Sequence, residues 1–342
     1  MNNLSPIVYF CYNRAKKTEI TLKSLSENIL AEKSELFIFS DGPKNRRDIK
    51  RVNAVRKVIK LISGFKKICI CVRKTNFGIK KNIISGISEV IKKFGKVIVV
   101  EDDINTSKHF LEFLNECLDF YKTDKNIFGI SGYNRPHLKV PDSYPNDIYL
   151  FPYRFPAWGW ATWLDRWNKI DFKVKDYYKF INDKEAIREF KKGGIDAPGL
   201  LKAYKEGKAE GWAIQAAFSE FKNRAYTLYP IKSLVNNIGF DNSGTHGAKL
   251  KGFQNIIDDE DFKKPKLIES AKIFKTNYLM VKRHQEAIKL KLKYLETCGR
   301  YYRSKSIKKS FMHLVYGRFP WLINHITKIR NKITGKFSSN LS

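Results

Sequence analysis

An α/β fold built on a mostly parallel sheet is predicted by three features of this 342-residue chain. Short apolar runs alternate with amphipathic stretches through the first hundred residues. The apolar runs are continuous, as in strands buried on both faces. Polar residues gather directly after each run, which is where an open parallel sheet binds its ligands.

Residues 7–11 (IVYFC) read as a first strand and residues 17–28 as a first helix. Residues 36–39 (LFIF) make a second strand, stopped by Asp41-Gly42-Pro43, and residues 52–62 a second helix. A third strand at 68–72 is followed by a helix at 79–94, with Ile83, Ile84, Ile87, Val90 and Ile91 on one face, and a fourth strand at 96–100. Thr106 or Ser107 can cap a helix running to about Tyr121, before a short strand at 128–131. Residues 136–156, rich in Pro, Asp and Tyr, read as loop, and residues 157–168 are dense in Trp. Residues 175–206 read as charged helix broken at Gly193-Gly194 and Pro198-Gly199. A helix at 212–222, a strand at 226–229 and a loop at 236–247 follow. Beyond about residue 260 the pattern is basic and helical.

The 65 Lys and Arg outweigh 34 Asp and Glu, for a net charge of +31. Residues 263–342 alone hold 20 basic and 3 acidic residues, and none is acidic from Thr297 to Ser342. Such a field attracts phosphate-bearing partners such as nucleic acid, anionic membrane or nucleotide-sugars, although part of it also fits a Lys-, Ile- and Asn-rich base composition. A hydrophobic content of 43% supplies a sizeable core and excludes global disorder. Five cysteines without a CxxC pair suit a reduced compartment better than a disulfide framework or a zinc site. No apolar stretch of signal length precedes Pro6, and no segment approaches the ~20 apolar residues that span a bilayer. The expectation is a cytoplasmic protein whose contact with the inner face of the membrane is peripheral.

Glu101-Asp102-Asp103 carries the strongest chemical signal. Three acids directly after a buried strand are costly without a compensating cation. Mg²⁺ or Mn²⁺ suits their oxygens and would grip a diphosphate; alternatively the acids could cap a following helix. Asp41 could form a turn or bond a nucleobase. Asn76-Phe77-Gly78 could form a turn or admit close backbone approach to a ligand, with Lys80 and Lys81 in reach of phosphate. Trp158, Trp160 and Trp163 could be core or a platform for a sugar ring. Glu206, Glu210 and Asp241 could each be the carboxylate base that a transferase needs. His246 lies in a glycine-flanked loop, as a metal or diphosphate contact or as a plain loop residue.

Taken in order, residues 6–14, Ser40-Asp41-Gly42, Asn76-Phe77-Gly78, Val100-Glu101-Asp102-Asp103 and Gly129-Ile130-Ser131-Gly132-Tyr133-Asn134 resemble the GT-A nucleotide-diphospho-sugar transferase fold. More narrowly, they resemble bacterial glycosyltransferases related to the β-1,2-N-acetylglucosaminyltransferase I family, with Ala157-Trp158-Gly159-Trp160 matching its Gly-rich aromatic segment. The resemblance covers residues 5–247 and implies a Rossmann-like sheet with flanking helices. The expected division is a catalytic domain over 1–260, with a nucleotide-binding half (1–135) and an acceptor half (136–260), and a basic helical extension over 261–342. The resemblance also implies inverting transfer from a UDP-sugar with Mn²⁺ or Mg²⁺. Asp103 would hold the metal, Asp102 face the ribose, Glu101 the donor sugar, and Asp41 the uracil, with Asn13 and Arg14 nearby. Asn76, Gly78 and Trp160 are further donor-site candidates, and His246 a further metal candidate. The family's base stands immediately before the Trp matching Trp212. Gly211 occupies that position here, and Glu210, one residue earlier, is the candidate base.

The expected acceptor is a hydroxyl of a glycan or lipid-linked glycan in bacterial surface-polysaccharide synthesis. Residues 310–326, with Trp and Phe among basic residues, could meet anionic lipid or pack as a helical extension. A nucleic-acid-binding protein is a rival reading, opposed by the acid triplet, and no nucleic-acid partner is expected. A sugar nucleotidyltransferase would carry a Gly-rich loop after the first strand, which Cys11-Tyr12-Asn13-Arg14 is not.

Overall fold

The computed structural model describes residues 3–134, 138, 140–239, 257, 259, 263–277, 280–283, 285 and 286. In chain order the elements are β1 (Ile7–Cys11), α1 (Ala15–Ser26), β2 (Glu35–Ser40), α2 (Ile49–Lys60), β3 (Lys67–Val72), α3 (Gly78–Phe94), β4 (Lys96–Glu101), β5 (Ile104–Thr106), α4 (Phe110–Phe120), β6 (Ile127–Ser131), β7 (Ile148–Pro152), β8 (Trp160–Trp163), α5 (Leu164–Trp167), α6 (Tyr177–Ile181), α7 (Lys184–Phe190), α8 (Ala197–Lys205), α9 (Ala213–Lys222), β9 (Tyr226–Pro230), β10 (Val235–Asn237) and α10 (Ser270–Thr276).

Eight strands form one sheet in the order β3-β2-β1-β4-β8-β6-β9-β7. β1 to β4 run parallel, β8 runs antiparallel to both β4 and β6, β9 is parallel to β6, and β7 is antiparallel to β9. The mostly parallel α/β class predicted from the sequence is therefore the one observed. The pleat explains why β1 reads as unbroken apolar sequence. Ile7, Tyr9 and Cys11 enter the core under α1, α2 and α4, whereas Val8 and Phe10 enter the core under α3 and α9. Each fully buried aliphatic side chain here contributes about 1.5–3 kcal/mol relative to exposure. β3 closes one edge of the sheet and is only half covered, leaving Ile70 39% and Val72 45% exposed.

The second half departs from the sequence reading in identifiable ways. The stretch 136–156, read as loop, contains β7; its Ile148–Pro152 run is fully buried and pairs with β9 at the far edge of the sheet. An edge is where Pro is tolerated within a strand. The Trp-dense stretch supplies β8, inserted antiparallel between β4 and β6. Pro198 and Gly199 do not break a helix but sit in the first turn of α8, where a missing N–H costs nothing. The start of the loop expected at 236–247 is β10, paired antiparallel with β5. α4 starts at Phe110 rather than directly after Ser107, whose hydroxyl accepts from His109 N at 3.1 Å.

Residues 263–277 lie against the sheet. Asn277 brackets Leu150, accepting from its N–H at 3.0 Å and donating to its carbonyl at 2.6 Å, while Tyr121 donates to the Ile268 carbonyl at 2.6 Å. Ile273 of α10 is wholly buried. This segment covers the backbone of the β7 edge. The basic tail beyond residue 286, including 310–326, lies outside the described residues. Among the described residues no helix is long and apolar enough to cross a membrane, and Cys11, Cys69, Cys71 and Cys117 are free thiols.

Candidate active site

The sheet's carboxyl edge brings together most of the residues singled out by sequence. Glu101-Asp102-Asp103 forms the turn from β4 into β5. A strand, not a helix, follows the triplet, so the helix-capping reading falls. β10 returns alongside β5, and the Ile238 N–H donates to the Asp103 carbonyl at 2.8 Å. Gly239 then passes so close to Asp103 that a β-carbon there would collide with its carboxylate.

Arg14, between β1 and α1, reaches across to the triplet. Its Nε donates to Asp102 Oδ2 at 3.2 Å and its Nη2 to Asp102 Oδ1, while Nη1 donates to Asp103 Oδ2 at 3.0 Å. The three side chains are mostly withdrawn from water, at 19% exposure for Arg14, 6% for Asp102 and 17% for Asp103. Burial alone would disfavour the guanidinium charge, but Asp102 and Asp103 more than offset this and leave its pKa raised. Burial, and then repulsion from Asp103 and Asp102, pushes the Glu101 carboxyl up to about 8 against the opposing pull of Arg14. Asp102 is also raised by burial, although Arg14 pulls it down. Arg14 thus bonds two of the three acids, and burial favours the protonated form of the third, Glu101.

The other expected nucleotide contacts have protein partners. Asn13 donates to Asp48 Oδ1 at 3.3 Å, and Tyr12 donates to Asp48 Oδ2 at 2.8 Å. Asp48 thus orients the loop after β1, a role that its charged surroundings in the sequence did not signal. Asp41, expected to meet uracil, is buried, and its carboxylate is taken up by the protein. It accepts from the N–H groups of Gly42 (2.8 Å), Phe77 (2.8 Å) and Gly78 (3.0 Å) and from Asn76 Nδ2 (3.1 Å). Asp41 thus satisfies the open N–H groups at the start of α3 in place of presenting a free carboxylate to a base, and Asn76 braces it while also lining a cleft. Gly78, with φ +73°, makes the bend that aims those N–H groups at Asp41.

Trp160 is also corrected. It is completely buried, stacked on Trp212 (5.0 Å between ring centroids) and Trp167 (6.2 Å), with Phe155 against its edge at 4.9 Å. It is core and presents no face to a sugar. Trp163 is buried as well, donating through Nε1 to the Leu118 carbonyl at 2.9 Å. Trp158 is half-buried, edge-on to Tyr133 at 4.6 Å.

Glu210 is exposed, on the loop before α9, and lines a cleft of about 780 Å³ together with Lys44, Asn76, Phe77, Gly78, Lys80, Lys81 and Tyr204. Among the described residues no hydrogen bond or ion pair to its carboxylate is recorded. Glu206, the rival base, is exposed and paired with Lys208 at 2.6 Å and Lys202 at 3.7 Å. Lys80 donates to the Tyr204 hydroxyl at 2.7 Å and lies over its ring, and Lys81 lies over the Phe77 ring at 4.3 Å. Burial works to raise the Tyr204 pKa, but Lys80 prevails and lowers it. Tyr204 had no sequence signal, being one aromatic on a charged helix. Asp241 and His246 lie outside the described residues.

Among the described residues no group of three His, Cys, Asp or Glu side chains forms a ready metal cage. Asp102 and Asp103, which meet on the Arg14 guanidinium, nevertheless offer carboxylate oxygens, the donors that a hard divalent ion takes.

Comparison with known proteins bears on the same region. An alpha-1,3-mannosyl-glycoprotein 2-beta-N-acetylglucosaminyltransferase of Arabidopsis thaliana is 25% identical over 172 residues, covering 48% of this chain and 36% of the relative. The chain thus matches little more than a third of that relative's length. Among solved structures, S. aureus TarS 1-349 gives a TM-score of 0.40 at 14% identity, covering 68% of this chain and 59% of that one. The mannosyltransferase PcManGT from Pyrobaculum calidifontis, in complex with GDP-Man and Mn²⁺, gives 0.38 at 14% identity, covering 64% and 69%. A model of the GNT-I family matches residues 1–193, which takes in β1 to β8, Arg14 and the whole acid triplet. With more than half of its length inside that match, the chain belongs to the GNT-I family.

Proposed function

We propose that this protein is a metal-assisted glycosyltransferase that moves a sugar, a hexose or N-acetylhexosamine, from a UDP-sugar to a hydroxyl of a glycan or lipid-linked glycan, with inversion. The observation that carries the reading is the acid triplet at the carboxyl end of β4, with Asp102 and Asp103 bonded to one arginine at the edge of the sheet where such folds bind ligands. Membership of the GNT-I family, with a curated N-acetylglucosaminyltransferase among its relatives, supports the reaction class.

In this reading Asp103 holds a Mn²⁺ or Mg²⁺ ion, with His246 as a second candidate ligand. When bound, the ion supplies Lewis-acid neutralisation of the departing diphosphate. Arg14, anchored on Asp102, adds a fixed positive charge beside the same group, where negative charge develops during transfer. Glu101 and Asp102 face the donor's sugar and ribose. Asn13, set by Asp48, lies beside them. Glu210, in the lysine-lined cleft, takes the proton from the acceptor hydroxyl. Its carboxylate is exposed, so the acceptor's arrival would have to desolvate it. The product is intended for bacterial surface polysaccharide, and the basic tail offers an anionic membrane a peripheral contact at the cytoplasmic face.

The test is to incubate the protein with a panel of UDP-, GDP-, CMP- and dTDP-sugars, with Mn²⁺ or with chelator, and to measure nucleotide release. Release from a UDP-sugar that requires the metal is expected. Release without metal dependence, or none from any UDP-sugar, contradicts the proposal.

A further inference from the structure

Among the described residues, the Arg14 guanidinium bonds Asp103, the residue proposed to hold the metal, and its neighbour Asp102. Two of its nitrogens, Nε and Nη2, grip both oxygens of Asp102, and the third, Nη1, lies 3.0 Å from Asp103 Oδ2. The first pair is a fork-to-fork contact that fixes the guanidinium plane; the third is a single bond that can break while the fork holds. A bare divalent ion approaching Asp103 meets a cation already on that carboxylate and must displace it against charge repulsion in a partly buried site. A diphosphate changes the balance. Its oxygens are partners of the same kind as the carboxylate that Nη1 would leave.

Resting on the metal-assisted reading above, we infer that Arg14 couples metal to nucleotide: it guards Asp103 against a free divalent ion and releases it when a nucleoside diphosphate offers Nη1 a replacement anion. Asp102 keeps Arg14 in place throughout the exchange. Metal and nucleotide then bind with positive coupling, and by linkage each strengthens the other by the same factor. Arg14 acts here as a positioning residue, through Asp103.

The experiment measures Mn²⁺ binding by electron paramagnetic resonance of the free ion, with and without UDP. It uses the full chain, Arg14→Gln and Arg14→Lys, each checked for its melting temperature. The wild-type protein is expected to bind Mn²⁺ about tenfold more tightly when UDP is present. Arg14→Gln is expected to bind Mn²⁺ alone about tenfold more tightly than wild type, with most of the coupling gone. Arg14→Lys keeps the charge but not the fork, and should fall between them. Coupled binding in the wild type with Arg14→Gln unchanged or weaker towards Mn²⁺ alone overturns the inference and leaves the metal reading standing. If Arg14→Gln melts early, Arg14→Lys decides: coupling equal to wild type overturns the inference. A wild-type protein that binds no Mn²⁺ even with UDP refutes the metal reading, and this inference with it.

Discussion

The two sides of the site handle charge in opposite ways. On the acid side three acids follow one another at a single turn, and one arginine answers two of them, Asp102 and Asp103, through directed hydrogen bonds. On the cleft side Lys80 and Lys81 are held over aromatic rings, and among the described residues that line the cleft Glu210 is the one acid. Carboxylate oxygens gathered beside a strand end suit a cation, whereas ammonium groups resting on ring faces keep their charge available to an anion or a hydroxyl. On the proposed function, the contrast assigns the metal and the proton transfer to different elements, open to separate disruption.

The sharpest test of the acid side is Asp103→Ala. Transfer is expected to fall by about a thousandfold or more, as when a main electrostatic stabiliser is lost, while the melting temperature holds. Activity near wild type would remove the acid side from the reaction. For the cleft side, Glu210→Gln is expected to lower kcat by about a hundredfold or more and to leave UDP binding unchanged. Equal loss of UDP binding would merge the two sides into one. Unchanged kcat would move the base to Glu206 or Asp241.

Trp160 tests whether the wall beneath both sides is core. Trp160→Ala should cost ~3–5 kcal/mol in urea denaturation, and the milder Trp160→Phe should leave the donor KM unaltered. A tenfold higher KM with no loss of stability would restore the sugar-platform role. The smallest effect is expected at Glu220 on α9. It is wholly buried and accepts from Thr227 at 3.0 Å. Burial raises its pKa well above the ordinary carboxyl value. The unfolded chain therefore releases this proton at lower pH than the folded one. Stability is complete below the unfolded value of about 4.3 and declines as pH rises towards the folded value. Glu220→Gln should flatten that decline and raise the melting temperature at pH 7 by about 2 °C. Parallel pH profiles for the two proteins would show that Glu220 is not the source.

What the sequence could reveal follows the same division. β1 to β4 were legible because strands buried on both faces must be apolar at every position, and their polar termini stood out against that background. The second half hid its strands. β7 ends in Pro and follows a run of Pro and Asp, so turn chemistry masked an edge strand. β8 lies inside Trp-rich sequence whose large side chains serve core and ligand platform equally well; only the stacking on Trp212 and Trp167 decides. Within the site, the acids were visible as a run, but their bonds were not. Asp41 read as a base contact because nothing local shows that the N–H groups of Phe77 and Gly78, more than thirty residues away, converge on it. The Arg14 fork spans 88 residues and is likewise a product of folding.

The central claim is that the triplet's carboxylates serve a divalent ion that holds a nucleotide diphosphate. Calorimetric titration of the wild-type protein and Asp103→Ala with UDP, in Mn²⁺ and in chelator, tests it most directly. Tight UDP binding by the wild type in Mn²⁺ alone, lost in chelator and in Asp103→Ala, is the predicted result. UDP binding of equal strength in all four titrations would contradict it.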